Sequence, residues 1–187
     1  KKFINNIEKQ FLVEKELLLA LMGIETNFGK YLGKMDIISS LATLSFDKRR
    51  SDFFSEQLFT VLKLIDQGII NSDALYGSWA GAFGNFQFMP TTIKNYAIDY
   101  DMDNKIDLKS INDSFASAAN YMNKIGWKKD MPCFKKIDLL ENIPTRFLNT
   151  SAKNISNKKK LKFYNKYIKN YKNLTLDENL IVAIVTP

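Results

Sequence analysis

Ala20-Leu21-Met22-Gly23-Ile24-Glu25-Thr26-Asn27-Phe28-Gly29 sets a carboxylic acid at the end of an apolar segment and follows it with a glycine break. Upstream, Val13, Leu17, Leu18, Ala20, Leu21, Met22 and Ile24 read as a helix that is apolar nearly all round in its last turns, which predicts that it runs into a core. Glu25 follows Leu21 by four residues, Met22 by three and Leu18 by seven, so its carboxylate is expected beside the apolar stripe at the helix's C-terminal end. Desolvation and the negative end of the helix dipole both favour the protonated acid there, the form a general acid needs. The alternative is a solvated Glu at a frayed helix end.

Composition narrows the chemistry. A chain of 187 residues suits one domain and buries roughly 70% of its unfolded surface. Its 45% hydrophobic content is ordinary for a globular protein, and no run of eighteen apolar residues occurs. With no His, the Ser-His-Asp and Cys-His mechanisms and His-ligated zinc are excluded, leaving carboxylates, hydroxyls, Lys, Tyr or a hard metal. The single cysteine, Cys133, cannot form an internal disulfide. No signal peptide or lipid-attachment motif is visible. The abrupt start at Lys1-Lys2-Phe3 and the stop at Pro187, directly after the apolar run Leu180 to Val185, are expected of a piece of a longer protein.

Working outward, residues 1 to 8 read as a helix fragment or lead-in with Phe3 and Ile7 as docking residues. Gly29 and Gly33 mark a turn suited to lining a cleft, and Asp36 is placed to cap a helix through Ile37, Ile38, Leu41 and Leu44. Ser51 opens a longer helix with Phe54, Leu58, Val61, Leu62 and Ile65 at helical spacing and Gly68 as its stop. The pair Arg49-Arg50 before it can grip carboxylates or sugar hydroxyls by forked hydrogen bonds, or be a solvated helix entrance.

In Gly77-Ser78-Trp79-Ala80-Gly81-Ala82-Phe83-Gly84-Asn85-Phe86-Gln87-Phe88-Met89-Pro90, no Lys follows the last Gly, which argues against a phosphate loop. Small residues among Trp79, Phe83, Phe86 and Phe88 suit a backbone packed under aromatic faces, with Ser78 and Gln87 as polar groups in an apolar setting. That furnishing fits a sugar cleft or a tightly packed loop without a ligand. Pro90 fits the first turn of a helix carrying Ile93, Tyr96 and Ala97.

Asp99-Tyr100-Asp101-Met102-Asp103-Asn104-Lys105-Ile106-Asp107 has acids at the first, third and fifth places of an EF-hand-type loop. Asn104 tolerates the left-handed sixth place, Ser110 stands where a bidentate Glu is usual, and Asp113 could close a longer loop. Calcium binding stands here against a solvated acidic turn. Asp113 is also read as the cap of a helix through Phe115, Ala118, Ala119, Met122 and Ile125 that Gly126 ends, with Tyr121 on its other face.

The charge of +7 is unevenly placed, because residues 142 to 176 hold nine Lys and Arg and no acid. The eight lysines from Lys153 to Lys172 interleave with aromatics, as in single-stranded nucleic-acid binders. The spacing 161, 164, 168, 171 instead predicts an amphipathic helix with a wet lysine face, followed by a core helix over Leu180 to Val185 that is cut short.

These residues together resemble the lytic transglycosylase B family of bacterial murein-cleaving enzymes. The resemblance rests on five motifs in order across roughly residues 12 to 130: Gly23-Ile24-Glu25-Thr26 with Gly29; Leu41-Ala42-Thr43-Leu44-Ser45-Phe46 with Arg49-Arg50; Gly77-Ser78 through Gln87-Phe88-Met89-Pro90; the Asp99 to Asp103 loop; and Ala119-Asn120-Tyr121 before Gly126-Trp127. It implies a mainly α, lysozyme-like catalytic domain spanning 1–187, with an EF-hand-like loop at 99–113 and a basic C-terminal helical segment at 153–187. Glu25 falls on the catalytic acid; Ser78, Gln87, Arg49, Arg50 and Tyr121 fall on substrate-binding positions. Asp99, Asp101, Asp103 and Asp113 fall on calcium-ligand positions, and Lys105 on one that offers its backbone carbonyl. Beyond residue 130 the family pattern is not followed, and no Tyr-Asn motif is recognisable around Asp177-Glu178-Asn179.

The activity the resemblance implies is a lytic transglycosylase that cleaves the MurNAc-GlcNAc bond and leaves a 1,6-anhydro end. Ordinary glycosidases use two carboxylates, and that no obvious second acid accompanies Glu25 in the cleft motifs is consistent with it. A hydrolytic muramidase and a non-catalytic wall-binding or nucleic-acid-binding module are the alternatives. The resemblance further implies a structural calcium and no organic cofactor, peptidoglycan glycan strands and no nucleic acid as partners, and a monomer. It implies a periplasmic location, with outer-membrane anchoring through a segment outside this chain.

Overall fold

The computed structural model describes residues 2–132, 134–151, 153 and 155–186, and Ala74 by its backbone alone. Cys133 lies outside the described residues. Where the sequence predicts one domain over 1–187, the chain gathers into two compact units, Lys1–Met131 and Pro132–Pro187.

The first unit is built from α1 (Lys2–Phe11), α2 (Lys15–Thr26), α3 (Ile37–Ser45), α4 (Ser51–Asp66), α5 (Pro90–Tyr96) and α6 (Ile111–Lys124). A short antiparallel pair, β1 (Met35–Asp36) with β2 (Tyr76–Gly77), joins the turn after α2 to the start of the aromatic loop. The mainly helical expectation holds here, and several signals act as read. Ile7 of α1 is fully buried, and Phe3 packs edge-on against Tyr100. Asp36 caps α3 by accepting the Ser39 N–H at 2.7 Å. Gly68 after α4 and Gly126 after α6 take positive φ.

Helix α3 packs on α4, α4 on α5, and α1 on α6. Gln57, buried in α4, takes the Thr91 N–H and hydroxyl at 3.0 Å each, satisfying a donor of the α5 first turn that lacks a cap of its own.

Two expectations in this unit are corrected. α2 is not buried all round: Leu18, Met22 and Thr26, four apart, form its buried stripe, while Ile24 points outward at 80% exposure. One stripe of an α-helix meets the core, and the apolar residues off that stripe stay in water. The cap of α6 is Ser110, not Asp113. Its hydroxyl accepts the Asp113 N–H at 3.1 Å, which leaves the Asp113 carboxylate to turn back into the acidic loop.

The second unit corrects the sequence reading more broadly. No α-helix occurs among its described residues. Residues Leu161–Tyr167 and Tyr171–Asn173 are 3₁₀ turns, and the expected core helix over Leu180 to Val185 is a pair of short strands. Leu161, Tyr164, Ile168 and Tyr171 are buried as their spacing suggested, but the repeat that matters is three: 161, 164, 167 and then 168, 171, 174. Three residues per turn stack such positions on one face of a 3₁₀ helix.

Strand β3 (Leu148–Asn149) pairs in parallel with β6 (Ile184–Val185), and β4 (Lys159–Lys160) pairs antiparallel with β5 (Ile181–Val182). The β-branched run Ile181-Val182 and Ile184-Val185 favours that outcome over a helix.

Candidate active site

Glu25 stands in the last turn of α2 with its side chain exposed. The desolvation expected of it is therefore not found; the apolar neighbours at 21 and 24 do not close over it. The turn that carries it is nonetheless tightly fixed. Thr26 is 1% exposed, and its hydroxyl donates to the Asn85 carbonyl at 2.9 Å, lies 3.1 Å from the Met22 carbonyl and accepts the Gly29 N–H at 3.1 Å. Asn27 then takes a left-handed conformation that ends the helix.

The partner of that turn is the loop from Gly77 to Met89. It approaches so closely that a side chain on Gly33 would meet the Gly77 carbonyl at 2.0 Å, which is why glycine stands there at φ +87°. Ser78 is half-buried. Its oxygen accepts the Ala82 N–H at 3.0 Å, which leaves the hydroxyl hydrogen available to an acceptor. Gln87 is half-buried with φ 49°; its amide nitrogen donates to the Leu32 carbonyl at 3.3 Å and the Gly84 carbonyl at 3.0 Å, so both its donors are engaged and its oxygen is the group that can face a ligand. Tyr121, half-buried on α6, packs edge-on to Phe88 at 5.7 Å and to Tyr96 at 5.0 Å. Ser78 and Gln87 thus belong to this loop, Tyr121 packs on its Phe88, and the turn that carries Glu25 is bonded to it through Thr26.

Arg49 and Arg50 line a pocket of 230 Å³ with Leu44, Asp47, Phe54 and Trp79. The two arginines differ. Arg49 forks onto Asp47, with one contact of 2.6 Å, and these bonds hold the Asp47 carboxyl down at about 2. Arg50 lies over the rings of Phe53 and Phe54 at 4.5 and 5.0 Å. Trp79, 68% exposed, is read from sequence only as one of the loop's aromatic faces, and Asp47 is not singled out there. The dipeptide Ser78-Trp79 was the available signal for the first; an acid two residues before an Arg pair is too common a pattern to mark the second.

The acidic loop is shaped by its own backbone. Asp99 accepts the Asp103 and Asn104 N–H groups, Asp103 accepts that of Lys105, and Asp113 accepts those of Tyr100 and Asp107 at 2.9 and 2.8 Å. Asp99, Asp101 and Asp113 bring one carboxylate oxygen each within 4.8 Å of one another. Asp103 is not in that group. Burial raises the Asp113 pKa, opposed by the two backbone hydrogen bonds and assisted by the charges of Asp101 and Asp99. Three hard oxygens gathered in this way, one on a buried side chain, fit a hard cation such as calcium.

The family model of the transglycosylase SLT domain matches residues 1–184. The chain belongs to the transglycosylase SLT family. It is 39% identical over 127 residues to the membrane-bound lytic murein transglycosylase B of Escherichia coli, across 67% of this chain and 35% of that protein. SltB3 of Pseudomonas aeruginosa, solved in complex with NAG-NAM-pentapeptide, superposes with a TM-score of 0.78 at 32% identity over 88% of this chain and 43% of its own. The Escherichia coli lytic transglycosylase Slt35, solved in complex with calcium, superposes at 0.67 with 34% identity over 76% of this chain and 46% of its own. This SLT-family chain therefore spans about a third of the curated relative and under half of these two solved proteins.

Proposed function

We infer that this chain is a lytic transglycosylase of peptidoglycan, cutting the β-1,4 bond between N-acetylmuramic acid and N-acetylglucosamine with Glu25 as its single acid and base. The observation that carries the reading is Glu25 itself, an exposed carboxylate on a turn that buried Thr26 locks from below, in a chain of the SLT family. The NAG-NAM-pentapeptide seen with SltB3 supports the substrate class.

A sugar ring laid over the turn would strip water from the carboxylate and favour its neutral form. Glu25 then protonates the glycosidic oxygen, while the acetamido group of the muramic sugar supports the positive charge growing at the anomeric carbon. Glu25, now ionised, removes the proton from the C6 hydroxyl, and that oxygen closes onto the anomeric carbon to give the 1,6-anhydro sugar. No water enters the balance.

The Ser78 hydroxyl hydrogen suits the acetamido carbonyl, and the Gln87 oxygen suits a ring hydroxyl; Tyr121 would bound the ring from α6. Arg49 and Arg50 suit the carboxylates of the lactyl group or stem peptide. Asp99, Asp101 and Asp113, with Asp103 and the Lys105 carbonyl, would hold a structural calcium. A peptidoglycan substrate and the membrane-bound relative both favour a periplasmic location. Among the described residues no helix is long and apolar enough to cross a membrane.

Mass spectrometry of muropeptides released from purified murein tests the reading. The wild type should release anhydro ends, and Glu25→Gln should release none while keeping its melting temperature. Hydrated ends from the wild type would move the assignment to a hydrolase, and turnover by Glu25→Gln would remove Glu25 from the chemistry. Calcium should raise the melting midpoint relative to chelator, and an unchanged midpoint would count against the acidic loop as its site.

A further inference from the structure

Asn85 is 3% exposed, and its backbone N–H, its backbone carbonyl and its side-chain amide nitrogen are all used to join two segments. Its N–H donates to the Leu108 carbonyl at 2.8 Å. Its amide nitrogen donates to the Lys109 carbonyl and the Ser114 hydroxyl at 3.0 Å each, with the Ser110 carbonyl at 3.5 Å. On the other side its carbonyl takes the Thr26 hydroxyl, one residue from Glu25. Gly29 closes the same contact: a side chain there would lie 3.2 Å from the Asn85 amide oxygen. The far segment is the start of α6, capped by Ser110, and its Asp113 in turn holds the Tyr100 and Asp107 amides of the acidic loop.

We propose that Asn85 is a positioning residue for Glu25, clamping the last turn of α2 to residues 108–114 so that the acid keeps one place relative to the loop that forms the cleft. The proposal rests on Glu25 being the catalytic acid. A helix C-terminus ordinarily frays, because its last carbonyls lack partners within the helix. Here the fraying turn is held by a buried hydroxyl to the backbone carbonyl of Asn85, a residue that three further bonds from its N–H and side-chain amide pin in place. A buried clamp of that kind resists opening because any release leaves unpaired polar groups out of contact with water.

Asn85→Ala removes the amide bonds to Lys109 and Ser114 but leaves the backbone bonds. Thr26→Val keeps the shape of the side chain and removes the hydroxyl, whereas Thr26→Ser keeps the hydroxyl. For Asn85→Ala and Thr26→Val the expected result is a loss of kcat on the order of tenfold or more, the scale that a small misplacement of a reacting group produces. KM should stay within about twofold because neither residue is placed to touch substrate. Exchange of the Gly29 amide should accelerate by a similar factor, and Thr26→Ser should restore both readings.

Normal kcat in Thr26→Val with a faster Gly29 amide would overturn the proposal, since the clamp would then be open without harm to the chemistry. A rise in KM at constant kcat would overturn it too, making the pair part of substrate binding. Glu25→Gln assayed alongside separates the two levels. If that variant is dead while Asn85→Ala and Thr26→Val turn over normally, the positioning role alone fails. If Glu25→Gln is active, the reading of Glu25 fails and the positioning role with it.

Discussion

Residues 1–131 carry 16 Lys and Arg against 16 Asp and Glu, whereas residues 132–187 carry 11 against 4, so the whole +7 of the chain belongs to the smaller unit. The four ion pairs found among the described residues all lie in the larger one. In the small unit Lys158, Lys159, Lys160, Lys162, Lys169 and Lys172 are exposed, and Lys166 lies over the rings of Phe163 and Tyr167 at 5.8 and 5.0 Å. The larger unit spends its polar groups at short range, on caps and on the clamp around Thr26. The smaller one sends its charge outward, where it acts over a Debye length of about 8–10 Å at moderate salt. One unit uses its polar groups to hold atoms still, and the other presents its charge to solvent.

The deepest intervention in that contrast is at Tyr164, fully buried in the second unit with its hydroxyl on the Asn157 carbonyl at 3.0 Å. Tyr164→Ala should destabilise that unit by about 3–5 kcal/mol. Helical circular dichroism from α1 to α6 should survive; simultaneous loss of both would mean that the units do not stand apart energetically. A milder intervention is the triple change Lys158→Gln, Lys159→Gln and Lys160→Gln. It should weaken association with murein about threefold or more at low salt and flatten its salt dependence, leaving turnover of a soluble fragment unchanged. Unaltered salt dependence in a sedimentation assay would show these lysines to be mere solvated surface.

The pH response should differ between the units more subtly. Glu8, Glu14, Asp36 and Asp47, all in the first unit, have carboxyls held below their ordinary range. Hydrogen bonds from Lys15 and Lys129 lower Glu8. Burial works against the shift at Glu14, and hydrogen bonds from Asp130 and Trp127 outweigh it. A lowered carboxyl stabilises the fold above its unfolded value and loses that contribution as pH falls through the folded one. For Asp47 the window runs from 3.8 down to about 2.

Asp113 runs the opposite way: its raised pKa favours the fold at low pH, and the benefit disappears as pH rises through the folded value. Urea midpoints of the first unit should therefore fall between pH 5 and 2. Asp47→Asn should remove only a small part of that fall, because its pair with Arg49 is exposed and screened. A flat midpoint would show that these contacts contribute nothing.

Much of the first unit was legible because its signals are local. Asp36 sits before an apolar run and caps it, Gly68 and Gly126 stand where left-handed residues end helices, and Pro90 opens α5. The position of Glu25 at the end of α2 was equally readable, but its exposure was not, since which apolar residues of a helix meet the core is decided by its neighbours.

Ser110 was hidden by competition between two patterns. Counted as the twelfth place of a cation loop it looks like a defect, yet read with Asp113 it is an ordinary Ser-x-x-Asp helix start. Asn85 left no trace at all, because its partner Thr26 is 59 residues away and hydrogen bonds of that separation have no period. In the second unit the spacing named the right buried residues and the wrong helix, since a three-residue repeat and a 3.6-residue repeat agree over one or two turns.

The parallel pairing of β3 with β6 has a temporal side. Residues 148–149 find their partner only at 184–185, so the second unit cannot close its sheet until the chain has been synthesised to Val185. Every residue of the clamp around Glu25, by contrast, is present once Ser114 has left the ribosome. Since domains generally fold as units, the N-terminal one first as a chain emerges, this order of emergence favours setting the acid in its turn before the strands of the cationic unit can pair.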